Sequence, residues 1–206
     1  MPYLTRPGRR ARLGLAAICA ALAAAALPSV AAAACPTTPV TKPFSTFGDL
    51  ANYSLAPSGA FESGTTGWSL SRSAVATGNE RFKVHASADA RSLAIAAGGK
   101  ATSPSFCVSI ANPTFRFFAR RTSGTWGVLY ADVLWTDSAG VSHTTTAGAL
   151  SGDVFLNWQP SSVLALGAML PLWQPGSTLN AKLVFHTEAG GGDWTIDDVY
   201  IDPYSR

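Results

Sequence analysis

The sequence predicts an all-β fold, a sandwich or barrel of about ten short strands. Three observations predict it. No stretch longer than about ten residues has helical periodicity. The chain after residue 57 is a series of short runs rich in Val, Ile, Thr, Phe, Tyr and Trp. Turn residues punctuate those runs at Gly78-Asn79, Gly98-Gly99, Asn112-Pro113, Ser123-Gly124, Ser138-Ala139-Gly140, Pro175-Gly176 and Gly190-Gly191-Gly192.

Taken in order, residues 1–34 read as a secretory signal. Arg6, Arg9, Arg10 and Arg12 form a basic start, and Leu13 to Leu27 an apolar run. Pro28 and Ser29 break that run before the small-residue tract Ala31 to Ala34. The run is shorter than the roughly 20 residues of a spanning helix. Cleavage is expected after Ala33 or Ala34, which leaves an exported chain without a membrane span. The alternatives are an uncleaved anchor, twin-arginine export at Arg9-Arg10 and lipidation of Cys35. Ala11 and Arg12 fit twin-arginine export poorly. Ala32 is smaller than the aliphatic residue that a lipidation site takes three places before its cysteine.

Removing this segment changes the charge and the cysteine count. The whole chain has 206 residues and a formal charge of +3. Four of its fifteen basic residues and none of its twelve acidic ones precede residue 35, so the remainder carries −1. No Lys/Arg-rich run is left, which excludes nucleic acid as the expected partner. Cys19 lies in the apolar run. Cys35 and Cys107 remain, an even pair suited to an oxidising compartment. They are expected to form a disulfide, with two independent thiols, or a lipidated Cys35 beside a free Cys107, as the alternatives.

Residues 35–57 read as an extended lead-in, since Pro36, Pro39 and Pro43 disfavour helix. Phe44, Phe47, Tyr53 and Leu55 are apolar enough to dock it on the domain at residues 58–206. Ten strands are predicted within that domain. They are Gly67–Val75, Phe82–His85, Ser92–Ala96, Ser105–Ile110, Thr114–Arg121, Trp126–Thr136, Val141–Thr146, Val154–Gln159, Leu179–Thr187 and Trp194–Ile201. Ser162–Leu170 leaves a helical turn open. The Gly190–Gly192 run reads as a hairpin tip.

Alternation assigns the faces. Ala181, Leu183 and Phe185 oppose Asn180, Lys182 and His186. Leu129, Ala131, Val133 and Trp135 oppose Trp126, Val128, Tyr130, Asp132 and Leu134, so this strand carries bulk on both faces. Phe115 and Phe117 oppose Arg116, Phe118 and Arg120. Asp197 shares a face with Val199 and Ile201.

Phe61-Glu62-Ser63-Gly64 with Gly67-Trp68, then Ser92-Leu93, and finally Trp194-Thr195-Ile196-Asp197-Asp198-Val199-Tyr200-Ile201, carry a resemblance. Over residues 58–206 the chain resembles carbohydrate-binding modules with a galactose-binding-like jelly roll, although Ser58-Gly59-Ala60 replaces their usual Asn-Gly-Asp; the resemblance implies a two-sheet antiparallel jelly-roll β-sandwich of about 8–10 strands. The whole chain is similar to uncharacterised secreted actinobacterial proteins. The resemblance implies a structural Ca²⁺ held by Glu62 and Asp197, because those modules use an opening-strand Glu and a final-strand Asp. A metal-free Asp197 bonded to backbone amides is the alternative.

The residues themselves suggest a sugar platform. Aromatic rings take the apolar face of a sugar, and charged groups take its hydroxyls. Trp126, Tyr130 and Asp132 share a strand face, Arg116 and Arg120 would line the neighbouring strand, and Lys182 and His186 another. Core packing of Trp126 and Tyr130 is the alternative. Enzyme motifs are missing. There is no His-Glu-x-x-His, no Gly-x-Ser-x-Gly and no Glu-x-Asp-x-x-Glu. The expected role is non-catalytic recognition of a glycan outside the cell. Binding of a surface protein, or an envelope-structural role, is the first alternative, and a glycan-active enzyme the second.

Overall fold

The computed structural model describes residues 35–109, 112, 114–137, 139–166 and 178–202, together with Tyr3. The signal segment, Ile110 and the Pro175-Gly176 turn lie outside the described residues, as does much of Ser162–Leu170. Eleven strands are described: β1 (Ser54–Leu55), β2 (Ser69–Thr77), β3 (Arg91–Thr102), β4 (Phe106–Ser109), β5 (Thr114–Arg121), β6 (Val128–Thr136), β7 (Ser142–Ser151), β8 (Gln159–Pro160), β9 (Leu164–Ala165), β10 (Thr178–Thr187) and β11 (Trp194–Asp202). All pairings among the described strands are antiparallel.

The strand order is β7-β6-β10-β3-β11-β5-β8, with β1 on β11, β2 on β3, β4 on β10 and β9 on β5. The hydrogen-bonded path doubles back at β3. Its end, Lys100–Thr102, pairs with β10, whereas Leu93–Ile95 pairs with β11. Between these halves lie Gly98, with φ +70°, and Gly99. β2 follows the same corner through a bulge between Ser71 and Ser73, with Arg72 at φ 51°. The result is two layers. One contains β7, β6, β10 and β4, and the other β11, β5, β1, β8 and β9.

Burial explains the layering. Leu129, Ala131, Val133 and Trp135 of β6, and Ala181, Leu183 and Phe185 of β10, face Phe115, Phe117 and Ala119 of β5 and Trp194, Ile196, Val199 and Ile201 of β11. Each fully buried large side chain contributes about 1.5–3 kcal/mol. Phe117 meets Phe185 edge-on at 4.8 Å, which ties β5 to β10 across the core. The alternations predicted for β5, β6 and β10 hold.

A second apolar cluster of Phe44, Tyr53, Phe118, Trp158 and Tyr200 covers the outer face of β5 and β11. Residues 35–57 build much of it. Thr41 bridges Tyr53, and β1 pairs with Tyr200 and Ile201. Arg116 of β5 is buried beneath this segment. Its Nη1 donates to Asp49 Oδ2 at 2.7 Å, its Nε and Nη2 donate to the Ser161 carbonyl, and its guanidinium lies 4.3 Å from the Phe44 ring centre. Cys35 and Cys107 are disulfide-bonded, with Cα atoms 5.4 Å apart. The bond joins the lead-in segment to β4.

Three expectations change. Phe82–His85 is loop, because Phe82 and Val84 pack on the second cluster through turns. Val154–Gln159 contributes only its last residue, to β8. Gly190–Gly192 is no hairpin tip, since β3 lies between β10 and β11. The connection crosses over the β3 corner, where Gly98 N–H donates to the Glu188 carbonyl. A Cβ at Gly99 would meet the Ala96 and Arg72 carbonyl oxygens at 2.6 and 2.7 Å. Gly99→Ala is therefore expected to cost about 2 kcal/mol through overpacking. Urea unfolding of the variant against wild type checks this.

Candidate functional site

Two clusters of polar side chains stand out, one on each layer. The first lies on the outward face of β6 and β10. Strand register places Tyr130 opposite His186, Asp132 opposite Val184, and Leu134 opposite Lys182. Lys100 of β3 follows beside His186. Thr146 and Ala149 of β7 flank Asp132 and Tyr130, and both are exposed. The Tyr130 and His186 rings stack at 5.0 Å and 14°. Asp132 Oδ2 lies 2.9 Å from His186 Nε2, and the Tyr130 hydroxyl donates to Glu188 Oε1 at 3.3 Å. Asp132 Oδ1 is buried with no partner among the described residues. The charge on Glu188 raises the Tyr130 pKa. This face offers aromatic rings, an acceptor in its floor, and two exposed lysines.

Register thus brings together Tyr130, Asp132, Lys182 and His186. It does not bring Arg116 and Arg120 to them. β5 pairs with β11, β8 and β9, not with β6. Arg116 is enclosed in the second apolar cluster, and Arg120 stacks 5.1 Å above Trp158. Both are therefore corrected from sugar-facing to structural positions. Trp126 precedes β6 instead of lying within it, and is 75% exposed.

The second cluster sits under the loop between β2 and β3. A bulge in β11 between Asp197 and Tyr200, with Asp198 at φ 48°, resets the alternation. Ile196 and Val199 both face the core, so Asp197 points outward with Thr195 and Tyr200. This corrects the face expected for Asp197. It is nevertheless fully buried, as are Asp198 and Glu80, because the loop covers them. Asp197 accepts from the Glu80 amide at 3.0 Å and from the Asp198 amide at 2.9 Å. Glu80 accepts from the amides of Phe82 and Val84. Asp89 Oδ2 lies 2.7 Å from His85 Nδ1 and accepts from the Ala86 amide.

Burial, then the charge on Asp198, pushes the Asp197 pKa up to about 9. Burial, then the charge on Glu80, pushes Asp198 up to about 7. Both Asp198 oxygens are buried without a hydrogen-bond partner among the described residues. The His85 main-chain N–H faces this carboxylate and lowers its pKa, but does not satisfy either oxygen.

Glu62 and Asp197 serve different segments. Glu62 Oε1 accepts from the Ala90 and Arg91 amides at the start of β3. The charged neighbours of Asp197 are Asp198 and Glu80. Both oxygens of Asp197 accept from backbone amides, and neither bond involves Glu62. Glu80, His85, Asp89 and Asp198 were missed by the sequence reading. One signal was available, since two adjacent acids inside a buried strand cannot both face solvent.

No protein-family model matches the chain, and no curated protein matches it. Solved structures do. Over 71% of its length the chain superposes on the CBM22-1–GH10 modules of Clostridium thermocellum endo-1,4-β-D-xylanase 10B complexed with xylohexaose, with a TM-score of 0.51 and 15% identity. Over 76% it superposes on the CBM22-1–CBM22-2 tandem domain of Paenibacillus barcinonensis Xyn10C, with a TM-score of 0.50 and 14% identity. The fold is a jelly roll. The chain spans 28% of the first structure and 46% of the second. Among the described residues, no helix is long and apolar enough to cross a membrane.

Proposed function

We propose that the chain is an exported, non-catalytic carbohydrate-recognition module, and that it takes glycan on the outward face of β6 and β10. The observation that carries this reading is the stacked Tyr130–His186 pair above Asp132, with Lys100 in register beside His186 and Lys182 opposite Leu134 on the same face. A sugar ring packs its C–H face on an aromatic ring while hydroxyls reach the Asp132 carboxylate and the lysine ammonium groups. The likeness in fold to modules of xylanases supports the same class of ligand. The Cys35–Cys107 disulfide supports export, because such bonds persist in oxidising compartments.

Pull-down on insoluble polysaccharides and a glycan array test the reading. Wild type is expected to bind at least one plant or microbial polysaccharide. Tyr130→Ala and His186→Ala should each weaken binding about tenfold or more, with the loss of stacking as the cause. Wild type that retains no glycan would overturn it. Trp126, Val154 and Leu156, all exposed on loops, favour a protein partner as the second reading.

A further inference from the structure

The acid cluster under the β2–β3 loop has a feature that hydrogen bonding leaves unexplained. Of its four acids, Glu80, Asp89 and Asp197 each accept from backbone amides. Asp198 is 0% exposed, and among the described residues neither of its oxygens has a hydrogen-bond partner, the His85 main-chain N–H only facing it. A buried carboxylate without donors is costly, and is ordinarily either neutralised or held by a cation. No lysine or arginine is among the groups that tune it. Yet the β11 bulge holds it there at φ 48°, a conformation open to Asp, Asn and Gly.

What faces Asp198 is a donor set. One ring nitrogen of His85, one oxygen of Asp89 and one oxygen of Asp198 lie within 4.8 Å of one another. The His85 side chain is 37% exposed, which gives the cluster an opening to solvent. We propose that His85, Asp89 and Asp198 bind a divalent first-row transition cation of the Zn²⁺ type. An imidazole nitrogen with two carboxylates suits Zn²⁺, which takes four ligands and accepts nitrogen. Ca²⁺ takes six to eight oxygens and makes poor use of an imidazole. The cation takes the place of the hydrogen between His85 Nδ1 and Asp89 Oδ2. It also pins the loop at His85 and Asp89 to β11.

The test uses the full secreted chain stripped with a chelator, then melted with Zn²⁺, Mn²⁺ or Ca²⁺ added singly, with Zn²⁺ stoichiometry from calorimetry. Wild type is expected to take one Zn²⁺ and to gain about 5 °C or more in Tm at a hundredfold excess over Kd. Asp198→Asn should melt at or above the stripped wild type and show no Zn²⁺ response. His85→Ala alters an exposed side chain, so it should fold and bind Zn²⁺ at least tenfold more weakly. If Asp198→Asn does not fold, His85→Ala carries the test. Three results would overturn the proposal. One is no Zn²⁺ shift in wild type. Another is a Zn²⁺ shift that is undiminished in His85→Ala or persists in Asp198→Asn, which assigns the ion to other groups. The third is a Ca²⁺ shift that survives His85→Ala, which assigns an oxygen-only site. None depends on glycan binding.

Discussion

Replacing Cys35 and Cys107 together with serine will lower the unfolding free energy by up to about 4 kcal/mol. The bond closes a loop over a sequence separation of 72, and in the chain-entropy account a longer closed loop loses more freedom in the unfolded state. The surroundings sharpen the expectation. Pro36 to Val40 are exposed, so the disulfide is the main hold on the first residues of the lead-in segment. Farther along, Thr41, Phe44, Tyr53 and β1 attach it independently. The core between the layers does not involve either cysteine. The double variant should therefore fold, with a lower urea midpoint and a native core. A loss under about 1 kcal/mol would mean that the lead-in segment holds itself in place.

Arg116→Ala will cost about 3 kcal/mol. The change leaves the buried Ser161 carbonyl without its two guanidinium donors, removes the ring contact with Phe44, and strips Asp49 of its cation. Arg116→Lys should recover only part, since an ammonium cannot reproduce the planar fork. A pH signature accompanies the loss. Burial alone would raise the Asp49 pKa, but hydrogen bonds from Tyr53, the Ala51 amide and Arg116 outweigh it and hold it below 3.8. A carboxyl whose folded pKa is depressed contributes stability above its unfolded value and loses it as the pH falls. Without Arg116 that contribution shrinks. The variant should therefore lose less of its Tm between pH 5 and pH 3 than wild type does. Buried acids with raised pKa values act in the opposite sense in both proteins, so the difference between the two profiles isolates Asp49. Parallel profiles would remove the arginine from this role.

How much of this was legible depended on what each residue's neighbours required. β5, β6 and β10 were readable because the side-chain period of a strand is two, and Leu129, Ala131 and Val133, or Ala181, Leu183 and Phe185, keep it without interruption. The cysteine pair followed from counting. β11 was readable as a strand but not in its faces, because one bulge at Asp198 shifts every later residue by one. Phe82–His85 was apolar enough for a strand, yet its side chains cover the outer cluster from a loop. Residue types on the outward face of β6 and β10 were visible, whereas register was not. Nothing in Arg116 or Arg120 says which strand lies beside β5, and nothing in His186 says that Tyr130 stands opposite. The His85–Asp89–Asp198 group required knowing that a loop folds down onto a bulge 113 residues after its first member in sequence, at Asp198.

The position of β11 has a consequence for how the molecule comes into being. This strand is inserted between β3 and β5 and also carries β1. A nascent chain therefore exposes two unpaired edges for as long as residues 194–202 are unavailable. Assembly of that layer waits on contacts of very long sequence separation, which slows folding and favours completion after the last strand arrives. A chain built in this way stays threadable until late and then closes in one cooperative step.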